Sequence, residues 1–458
     1  MSQLLPADCL NEIFEYFEND KVTLHSCLLV SRLRCEVSVR ILWTSVWNYD
    51  TLIACLPNES KEILYKNGII TSTSTSKPPL FNYIAFIRNL EIDNIIKNIL
   101  KKYHQSPILN NKKCILVQEI YKLFNQISSL RELHFCSKVV ICAPNVTPTL
   151  AGDCLKHLSK LSCCSDIYPE IFYQLSQICH NIQSLKIKFK DDISVGLTDL
   201  ISAQKGLKHL DMAYYYCKDL TNIIASLMKH SNSLIKLNIY KFNIPLSFIG
   251  NFTNLQELEL SFKYEDAFKN FTTLQYVTFP QLQILKFPCG CRRCELLVIR
   301  FLENNGKNLK ELYVDEDDNS LNLAIAKFCP NLRKLYTAFK KDESETLKII
   351  LNSCQYLESM KVSCHSCYFL GEKGYFDILA KYSPKNFHEL TLCPLNSQSL
   401  HSKDLEEFFI NWKNRTSQKS LTFNVSYYRL NDENMKVIEK YKKLGVVKKL
   451  KLVDRNYF

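Results

Sequence analysis

The sequence predicts an α/β solenoid of short parallel strands alternating with helices, preceded by a small all-α module. An apolar spacing of the form L-x-x-L-x-L, with conservative substitutions, recurs through most of the 458-residue chain. Stretches with helical periodicity separate the copies, as in repeat proteins. Residues 1–47 lack that spacing and carry helical patterns of their own. We therefore predict three parts, with a connector at 48–86 and the solenoid at 87–458.

Each copy of the spacing predicts one short strand. The last two apolar positions of a copy lie two residues apart, so they fall on one side of a strand while the residue between them faces the other way. The clearest copies begin at Leu130, Ile182, Leu207, Leu234, Leu255, Leu282, Leu309, Leu332, Leu357, Phe387 and Val447. Weaker copies begin near Leu155 and Gln418, and an earlier look-alike begins at Ile87.

The segments between the strands predict helices. Apolar residues at i, i+3, i+4 and i+7 mark one face of a helix in the segments that start at Leu220, Leu321, Leu347 and Leu405. A single strand and helix cannot bury this apolar face, whereas a stack of such units forms a parallel sheet with a row of helices behind it.

The repeats resemble the leucine-rich-repeat family. The stretch C-P-N-L-R-K-L at 329–335 is similar to a repeat start of its cysteine-containing intracellular subclass. Departures are irregular spacing, few glycines and Thr337 at a position where a third apolar residue belongs. The resemblance covers about 130–458 and implies an α/β leucine-rich-repeat solenoid.

Residues 1–47 predict three short amphipathic helices. The first carries Pro6 in its first turn, where the missing N–H costs nothing. The three apolar stripes are Leu10, Ile13, Phe14 and Phe17, then Leu24, Cys27 and Leu28, then Leu33, Val37, Ile41 and Leu42. A module of this size forms only a marginal core. We therefore expect part of its apolar surface to contact a partner.

These residues resemble the F-box, through the Leu5-Pro6 start, the stretch 28–32 and the closing Leu42-Trp43. The resemblance implies docking on a Skp-type adaptor, and through it on a cullin and a RING protein, with no catalytic residue in this chain. It implies adaptor contacts at Leu5, Pro6, Leu10, Ile13, Leu28, Arg34 and Trp43.

Some of these assignments stay open at this stage. Ile13 and Leu28 fit the core of the module equally well, whereas Pro6 lies outside the helical stripe. Arg34 stands where the family usually has tryptophan, which predicts weaker adaptor binding. A helical cap that shields the first repeat is the alternative interpretation of the whole module. In the connector, the polar run 71–76 followed by Lys77-Pro78-Pro79 predicts a flexible segment with a stiff extended end.

The outward residues of the strands predict a surface that binds a protein substrate. Mixed charge with interspersed tyrosines suits a protein better than a polyanion, although ordinary solvated surface remains the alternative for each residue. The candidate substrate-binding residues are Lys186, Lys188, Tyr240, Glu257, Glu259, Glu311, Tyr313, Asp315, Lys334 and Tyr336.

Composition argues against several other classes. The net charge of +12 is dispersed, which disfavours nucleic-acid binding. Apolar runs are too short to cross a membrane, and no common nucleotide-binding, zinc-protease or hydrolase motif occurs, so we expect neither a membrane protein nor an enzyme. The 20 cysteines are scattered without an export signal, which predicts reduced thiols in the cytoplasm or nucleus.

We expect no cofactor and no metal. The cysteines at 289–294 and the stretch Cys364-His365-Ser366-Cys367 have zinc-like spacing, but the repeat count puts them about 14 Å apart, three strands of about 4.8 Å each. Together, the two resemblances imply the substrate-recognition subunit of a Skp–cullin–F-box ubiquitin ligase. A repeat scaffold without ligase function and a basic nucleic-acid-binding solenoid are the alternatives.

Overall fold

The computed structural model describes residues 5–71, 79–103, 110–136, 152–214, 220–242, 245–262, 265–288, 295–340, 343–364, 372–394, 400–415, 419–426 and 430–453. The chain divides into two compact units, Met1–His230 and Ser231–Phe458. The boundaries predicted at 47/48 and 86/87 both lie inside the first unit and stay predictions. The predicted flexible segment lies almost entirely at 72–78, outside the described residues.

The first unit begins with short helices, of which α2 and α3 start at side-chain caps. Asp20 Oδ1 accepts a hydrogen bond from Thr23 N (3.1 Å), and Ser31 Oγ accepts one from Arg34 N (3.3 Å). Each bond satisfies a backbone donor that a helix start leaves free. The helices are α1 Ala7–Glu15, α2 Lys21–Cys27, α3 Arg32–Leu42, α4 Tyr49–Ala54, α5 Asn58–Lys66 and the 3₁₀ helix Tyr83–Phe86.

Five parallel strands follow in the first unit, hydrogen-bonded in chain order. Leu90, Leu133, Leu161, Leu185 and Leu210 are register partners along this sheet, and all five are buried. The strands are β1 Asn89–Glu91, β2 Glu132–Phe135, β3 Lys160–Cys164, β4 Ser184–Phe189 and β5 His209–Tyr214. The connecting helices are α6 Ile92–Tyr103, α7 Asn110–Tyr121, α8 Gly152–Leu155, α9 Pro169–Ile178, α10 Val195–Ala203 and α11 Thr221–Leu227, with 3₁₀ helices Lys122–Gln126 and Met228–His230.

The second unit repeats this arrangement with nine parallel strands, again in chain order. Within this unit, the register partners Leu258, Leu285, Leu312 and Leu335 form an equivalent line of buried leucines. The strands are β6 Lys236–Phe242, β7 Glu257–Phe262, β8 Ile284–Phe287, β9 Glu311–Val314, β10 Lys334–Ala338, β11 Ser359–Cys364, β12 Glu389–Pro394, β13 Leu421–Ser426 and β14 Val447–Val453. The helices are α12 Glu295–Asn305, α13 Asn319–Phe328, α14 Ser344–Ser353, α15 Glu372–Tyr382, α16 Ser402–Lys413 and α17 Asp432–Lys443.

The predicted α/β leucine-rich-repeat solenoid is confirmed by this strand and helix order. The look-alike at Ile87 is a true repeat, because Leu90 pairs in register with Leu133. The weak copy placed near Leu155 is shifted, since Leu161 is the residue in register with Leu133 and Leu185.

Two repeats depart from the predicted strand-then-α-helix unit. The 3₁₀ helices Ser247–Asn251 and Glu265–Tyr276 occupy the connections after β6 and β7. A 3₁₀ helix rises about 2.0 Å per residue against about 1.5 Å for an α-helix, so the 5 residues of Ser247–Asn251 extend further than 5 α-helical residues would. The predicted core position Leu452 is also wrong, because it lies on the edge strand β14 and is half exposed.

Thr337, the departure from the apolar pattern, belongs to a buried polar group. Its hydroxyl donates to Asn322 Oδ1 (2.8 Å), and Asn322 Nδ2 donates to the Ala338 carbonyl (2.9 Å) and to Glu343 Oε2 (3.2 Å). The network satisfies polar atoms that would otherwise be costly to bury between strand and helix.

Cysteines recur where a helix ends and the next repeat begins. Cys179 Sγ donates to the Leu155 carbonyl (3.5 Å), and Cys354 Sγ donates to the Cys329 carbonyl (3.4 Å). Burial raises the pKa of the Cys179 and Cys354 thiols to about 12. These thiols are therefore unreactive packing groups.

Gly196 allows α10 to approach α9 closely, and replacing it with alanine is expected to destabilise the protein. A Cβ there would lie 2.4 Å from the Pro169 carbonyl oxygen and 3.0 Å from Phe172 Cβ. Overpacking of this kind costs about 1–3 kcal/mol, more than the helix propensity gained. Denaturant unfolding of Gly196→Ala measures the loss. Gly206→Ala is the matched control, because nothing lies within 4 Å of its Cβ, and equal loss in both variants would contradict this packing.

Candidate protein-binding surfaces

The helical module at the start of the chain has its own core. Leu10 and Phe14 of α1 pack with Val37 of α3 and with Trp43, and Phe17 packs at the edge of this cluster. Trp43 also lies against Tyr83, with ring centroids 4.5 Å apart. The module therefore shares its core with residues that follow it in the chain.

Outside this core, the module exposes large apolar side chains. Six of them lie within residues 5–30 and are between 43% and 90% exposed. They are Leu5, Ile13, Tyr16, Val22, Leu29 and Val30. We call these six the exposed apolar set. Such a concentration of exposed apolar side chains on a small module is typical of a protein-binding surface.

The structure separates the predicted adaptor contacts into two groups. Leu5, Pro6, Ile13 and Arg34 are exposed. Leu28 is partly buried and packs at the edge of the module core.

Leu10 and Trp43, which the resemblance gives as direct contacts, are buried in this chain, and their contact with an adaptor stays a prediction. They are only 5% and 3% exposed. Leu10 is buried because the face of α1 that carries Leu10 and Phe14 packs on α3. Ile13, one residue before Phe14, projects from a different side of the helix.

Sequence reasoning missed Tyr16, Val22, Leu29 and Val30 as surface candidates. Leu29 and Val30 follow Leu28 directly, and three apolar residues in a row cannot all lie on the buried stripe of one helix. The run of three apolar residues at 28–30 was the feature of the sequence that could have indicated these exposed side chains.

In the first unit, the outward side chains of β4 carry the predicted substrate contacts Lys186 and Lys188. Lys186 is exposed and Lys188 is partly buried. Inward Leu185 and Ile187 are buried, as the alternation predicts.

In the second unit, the outward residues of β6, β7 and β8 form an ion-pair network. Glu257 Oε1 lies 3.1 Å from Lys236 Nζ and 2.8 Å from Lys286 Nζ, and Tyr240 donates to Glu259 Oε1 (2.7 Å). Partial burial alone would raise the pKa of Glu257, but the hydrogen bonds from both lysines outweigh it and lower that pKa. The pKa of Lys286 is raised by the same contact with Glu257 despite its own partial burial.

Further along, β9, β10 and β11 carry an aromatic and cationic stack. Tyr313 and Tyr336 are stacked with centroids 3.9 Å apart, and Lys361 Nζ lies 4.7 Å from the Tyr336 ring centroid. Tyr336 also donates to Asp315 Oδ1 (2.8 Å), and Lys334 pairs with Glu311 (2.7 Å). Attraction between the ammonium and the ring faces holds this group together.

Tyr336 is only 5% exposed, although the sequence places it on the open face, and its contact with a substrate stays a prediction. Its neighbours in register cover it. The acidic candidates Glu257, Glu259, Glu311 and Asp315 each contact a lysine or a tyrosine of the same face. A partner would meet a face on which the charges are mutually compensated.

The cysteines with zinc-like spacing at 289–294 lie outside the described residues, as do His365 and Cys367. Among the residues with described positions, one His/Cys/Asp group has side chains close enough to share a metal ion: Asp93, His134 and Cys136. No helix in the described ranges is long and apolar enough to span a membrane.

Comparison with known proteins shows low similarity. No protein-family model matches the sequence, and no curated protein matches it. Among solved structures, a chain of the Rad7 and Elc1 complex in yeast is 14% identical, with a TM-score of 0.45, covering 77% of this chain and 89% of that one. The leucine-rich-repeat-containing protein LegL7 from Legionella pneumophila is 16% identical, with a TM-score of 0.38, covering 62% of this chain and 87% of that one. The repeat architecture of this protein therefore rests on its own strands and helices.

Arg34→Trp is expected to strengthen adaptor binding about tenfold, if about 1.4 kcal/mol is gained from a buried aromatic contact. Arg34 is exposed in the first turn of α3 and forms no ion pair with another described residue, so the change leaves the module core intact. Titration calorimetry of the full chain with its cognate adaptor measures this. A weaker complex with tryptophan would mean that Arg34 pairs with an acidic adaptor residue.

Proposed function

We propose that this protein is the substrate-recognition subunit of a Skp–cullin–F-box ubiquitin ligase. The exposed apolar set on the helical module is the observation that carries the proposal. It supplies a docking surface for the adaptor, in the part of the sequence that resembles the F-box. The repeats supply a separate face for a protein substrate. The chain itself contributes binding rather than catalysis, and it acts in the cytoplasm or nucleus.

The outer face of the second unit favours a protein substrate over nucleic acid. A phosphate backbone is bound by a surplus of uncompensated Lys and Arg. Here Lys236, Lys286 and Lys334 are paired with glutamates. Tyr240 and Tyr313 add partly exposed aromatic surface, which is enriched in protein interfaces.

Co-expression of the full chain with a Skp-type adaptor tests the docking step. A stable complex on size-exclusion chromatography, which then recruits a cullin–RING pair and supports ubiquitin transfer, is the expected result. A chain that folds but leaves the adaptor in its free peak would instead be a repeat scaffold without ligase function. Salt-dependent retention of nucleic acid without adaptor binding would favour the basic solenoid.

Neutral replacements on the outer face test substrate recognition. The joint change Glu257→Gln, Glu259→Gln, Glu311→Gln and Asp315→Asn keeps side-chain shape and frees the neighbouring lysines, so we expect substrate capture to fall while adaptor binding persists. Charge reversal is the poorer test, because it would place ammonium groups beside Lys236, Lys286 and Lys334. Proximity labelling under proteasome inhibition compares the two chains. If the same proteins are labelled equally, recognition lies away from this face.

A further inference from the structure

The carboxyl ends of β1, β2 and β3 bring together residues that are far apart in the sequence. Glu91 at the end of β1 pairs in register with His134, and Asp93 lies two residues further on. Phe135 pairs with Cys163, so Cys136 and Cys164 occupy equivalent positions of successive repeats. The cluster lies in the first unit and includes no residue of the exposed apolar set, and it is independent of the proposed function.

Three side chains of this cluster have the mutual distances of a metal site. One potential ligand atom each from Asp93, His134 and Cys136 lies within 4.8 Å of the other two. All three side chains are partly buried. Tetrahedral zinc, with bonds of about 2.0–2.3 Å, separates its ligand atoms by about 3.3–3.8 Å, so small side-chain rotations complete the geometry.

The Asp93 carboxylate has a free coordination position. Its Oδ2 accepts a hydrogen bond from the Cys136 backbone N–H. Its Oδ1 is inaccessible to solvent and has no hydrogen-bond partner among the described residues. A buried acceptor without a partner is costly, and a bound cation would satisfy it.

Cys164 is not one of the three residues whose ligand atoms lie within 4.8 Å of one another, but it offers a fourth ligand atom through its contact with Cys136. Its thiol hydrogen-bonds to the Cys136 thiol, and the residue is 1% exposed. Ser162, the register partner of His134, has a buried hydroxyl without a hydrogen-bond partner in the described part of the chain. A hydroxyl beside a ligating imidazole is suited to accept the proton of its second ring nitrogen.

We propose that Asp93, His134, Cys136 and Cys164 form a structural zinc site that ties the first three strands together. Imidazole, carboxylate and thiolate are all zinc ligands, and four protein ligands make a closed tetrahedral site. Binding converts two thiols and one Zn²⁺ into two zinc–thiolate bonds with release of two protons to solvent, and it involves no oxidation.

The charges around the site suit this donor set. One carboxylate and two thiolates around Zn²⁺ leave a net charge of −1, and Lys188 is the register partner of Cys164. Lys190 Nζ lies 3.5 Å from an Asp166 carboxylate oxygen and donates to the Cys136 carbonyl (3.4 Å), so a second lysine lies beside the cluster.

Elemental analysis of the full chain, purified without added metal and then incubated with ZnCl₂ and desalted, tests the site. We expect zinc to be retained, and Cys136→Ser, Cys164→Ser and Asp93→Asn each to lower zinc affinity by at least about tenfold. Cys9→Ser, at an exposed cysteine outside the cluster, is the matched control and should leave zinc content unchanged. The double variant Cys291→Ser/Cys294→Ser separates this site from the cysteines at 289–294. Zinc lost only in the double variant would overturn the proposal.

Cobalt(II) titration of the unmodified protein provides a test that does not depend on whether the variants fold. Two thiolates should give sulfur-to-cobalt charge-transfer absorption that falls by about half in a folded Cys164→Ser chain. Cobalt bound without such absorption would overturn the site. So would an intact mass two hydrogens lighter that is restored by reductant and absent from Cys136→Ser, because it would indicate a Cys136–Cys164 disulfide instead.

Discussion

Ile13→Asp is expected to weaken adaptor binding by at least about 30-fold, which corresponds to about 2 kcal/mol. Ile13 projects from α1 and is 43% exposed, while its neighbour Phe14 lies in the module core. An aspartate at the centre of an apolar contact loses the buried hydrocarbon and must also be desolvated. Surface plasmon resonance with immobilised adaptor and the full chain measures the affinity.

The control variant for this change is Ile349→Asp. Ile349 lies on α14 in the second unit and is 44% exposed, so the substitution has the same chemistry at nearly the same exposure. It should reproduce any general cost of an aspartate on a helix surface while adaptor affinity stays unchanged. Equal affinity of the Ile13 and Ile349 variants would mean that the exposed apolar set is not the docking surface.

The strand register could be predicted from the sequence because the spacing repeats with the period of a strand. Each L-x-x-L-x-L copy fixes which side of its strand is buried, and a slip by one residue would expose that side. This is why Leu258, Leu285 and Leu312 are register partners as expected. The pattern weakens at Leu155, where the apolar residues permit two alignments, and there the prediction was shifted.

Packing between elements was harder to predict. The stripe on α1 spans Leu10, Ile13 and Phe14, and only the angle at which α1 meets α3 decides that Leu10 and Phe14 are buried while Ile13 is exposed. That angle depends on side chains of both helices. A single helical periodicity contains no information about it.

Contacts across neighbouring strands could have been found by aligning the repeats. Tyr313, Tyr336 and Lys361 stand at the same position of three successive repeats. Cys136 and Cys164 likewise stand at equivalent positions of two successive repeats. Judging each strand alone assigned Tyr336 to the open face and left the two cysteines as separate buried thiols. The repeat alignment carries this information because equivalent positions lie about 4.8 Å apart.

The module and the first repeats are joined by more than the chain. The Thr44 carbonyl accepts hydrogen bonds from Arg88 N (2.8 Å) and Asn89 N (2.9 Å), which places the residue after Trp43 beside β1. Phe81, Tyr83 and Phe86 pack against the module core. A fragment that ends at residue 47 lacks these groups, so we expect a stable module to require residues through at least 86.

Trp43→Ala in the full chain is expected to lower the stability of the module by about 3–5 kcal/mol and thereby to weaken adaptor binding. Trp43 is 3% exposed and contacts Tyr83 and Trp47, with ring centroids 4.5 and 5.7 Å away. Its loss leaves a cavity between α3 and the 3₁₀ helix Tyr83–Phe86. Adaptor binding then falls because apparent affinity is reduced by the fraction of molecules whose module is folded.

Hydrogen exchange distinguishes this indirect effect from loss of a direct contact. Protection of the α1, α2 and α3 amides should fall in Trp43→Ala and remain in Ile13→Asp, although both variants bind the adaptor weakly. Trp412→Ala is the matched control, because Trp412 is equally buried at 2% exposure but lies on α16 in the second unit. It should lose local protection around α16 and retain adaptor binding. Normal protection of α1–α3 in Trp43→Ala together with weak adaptor binding would show that Trp43 is a direct contact, and its assignment to the module core would be wrong.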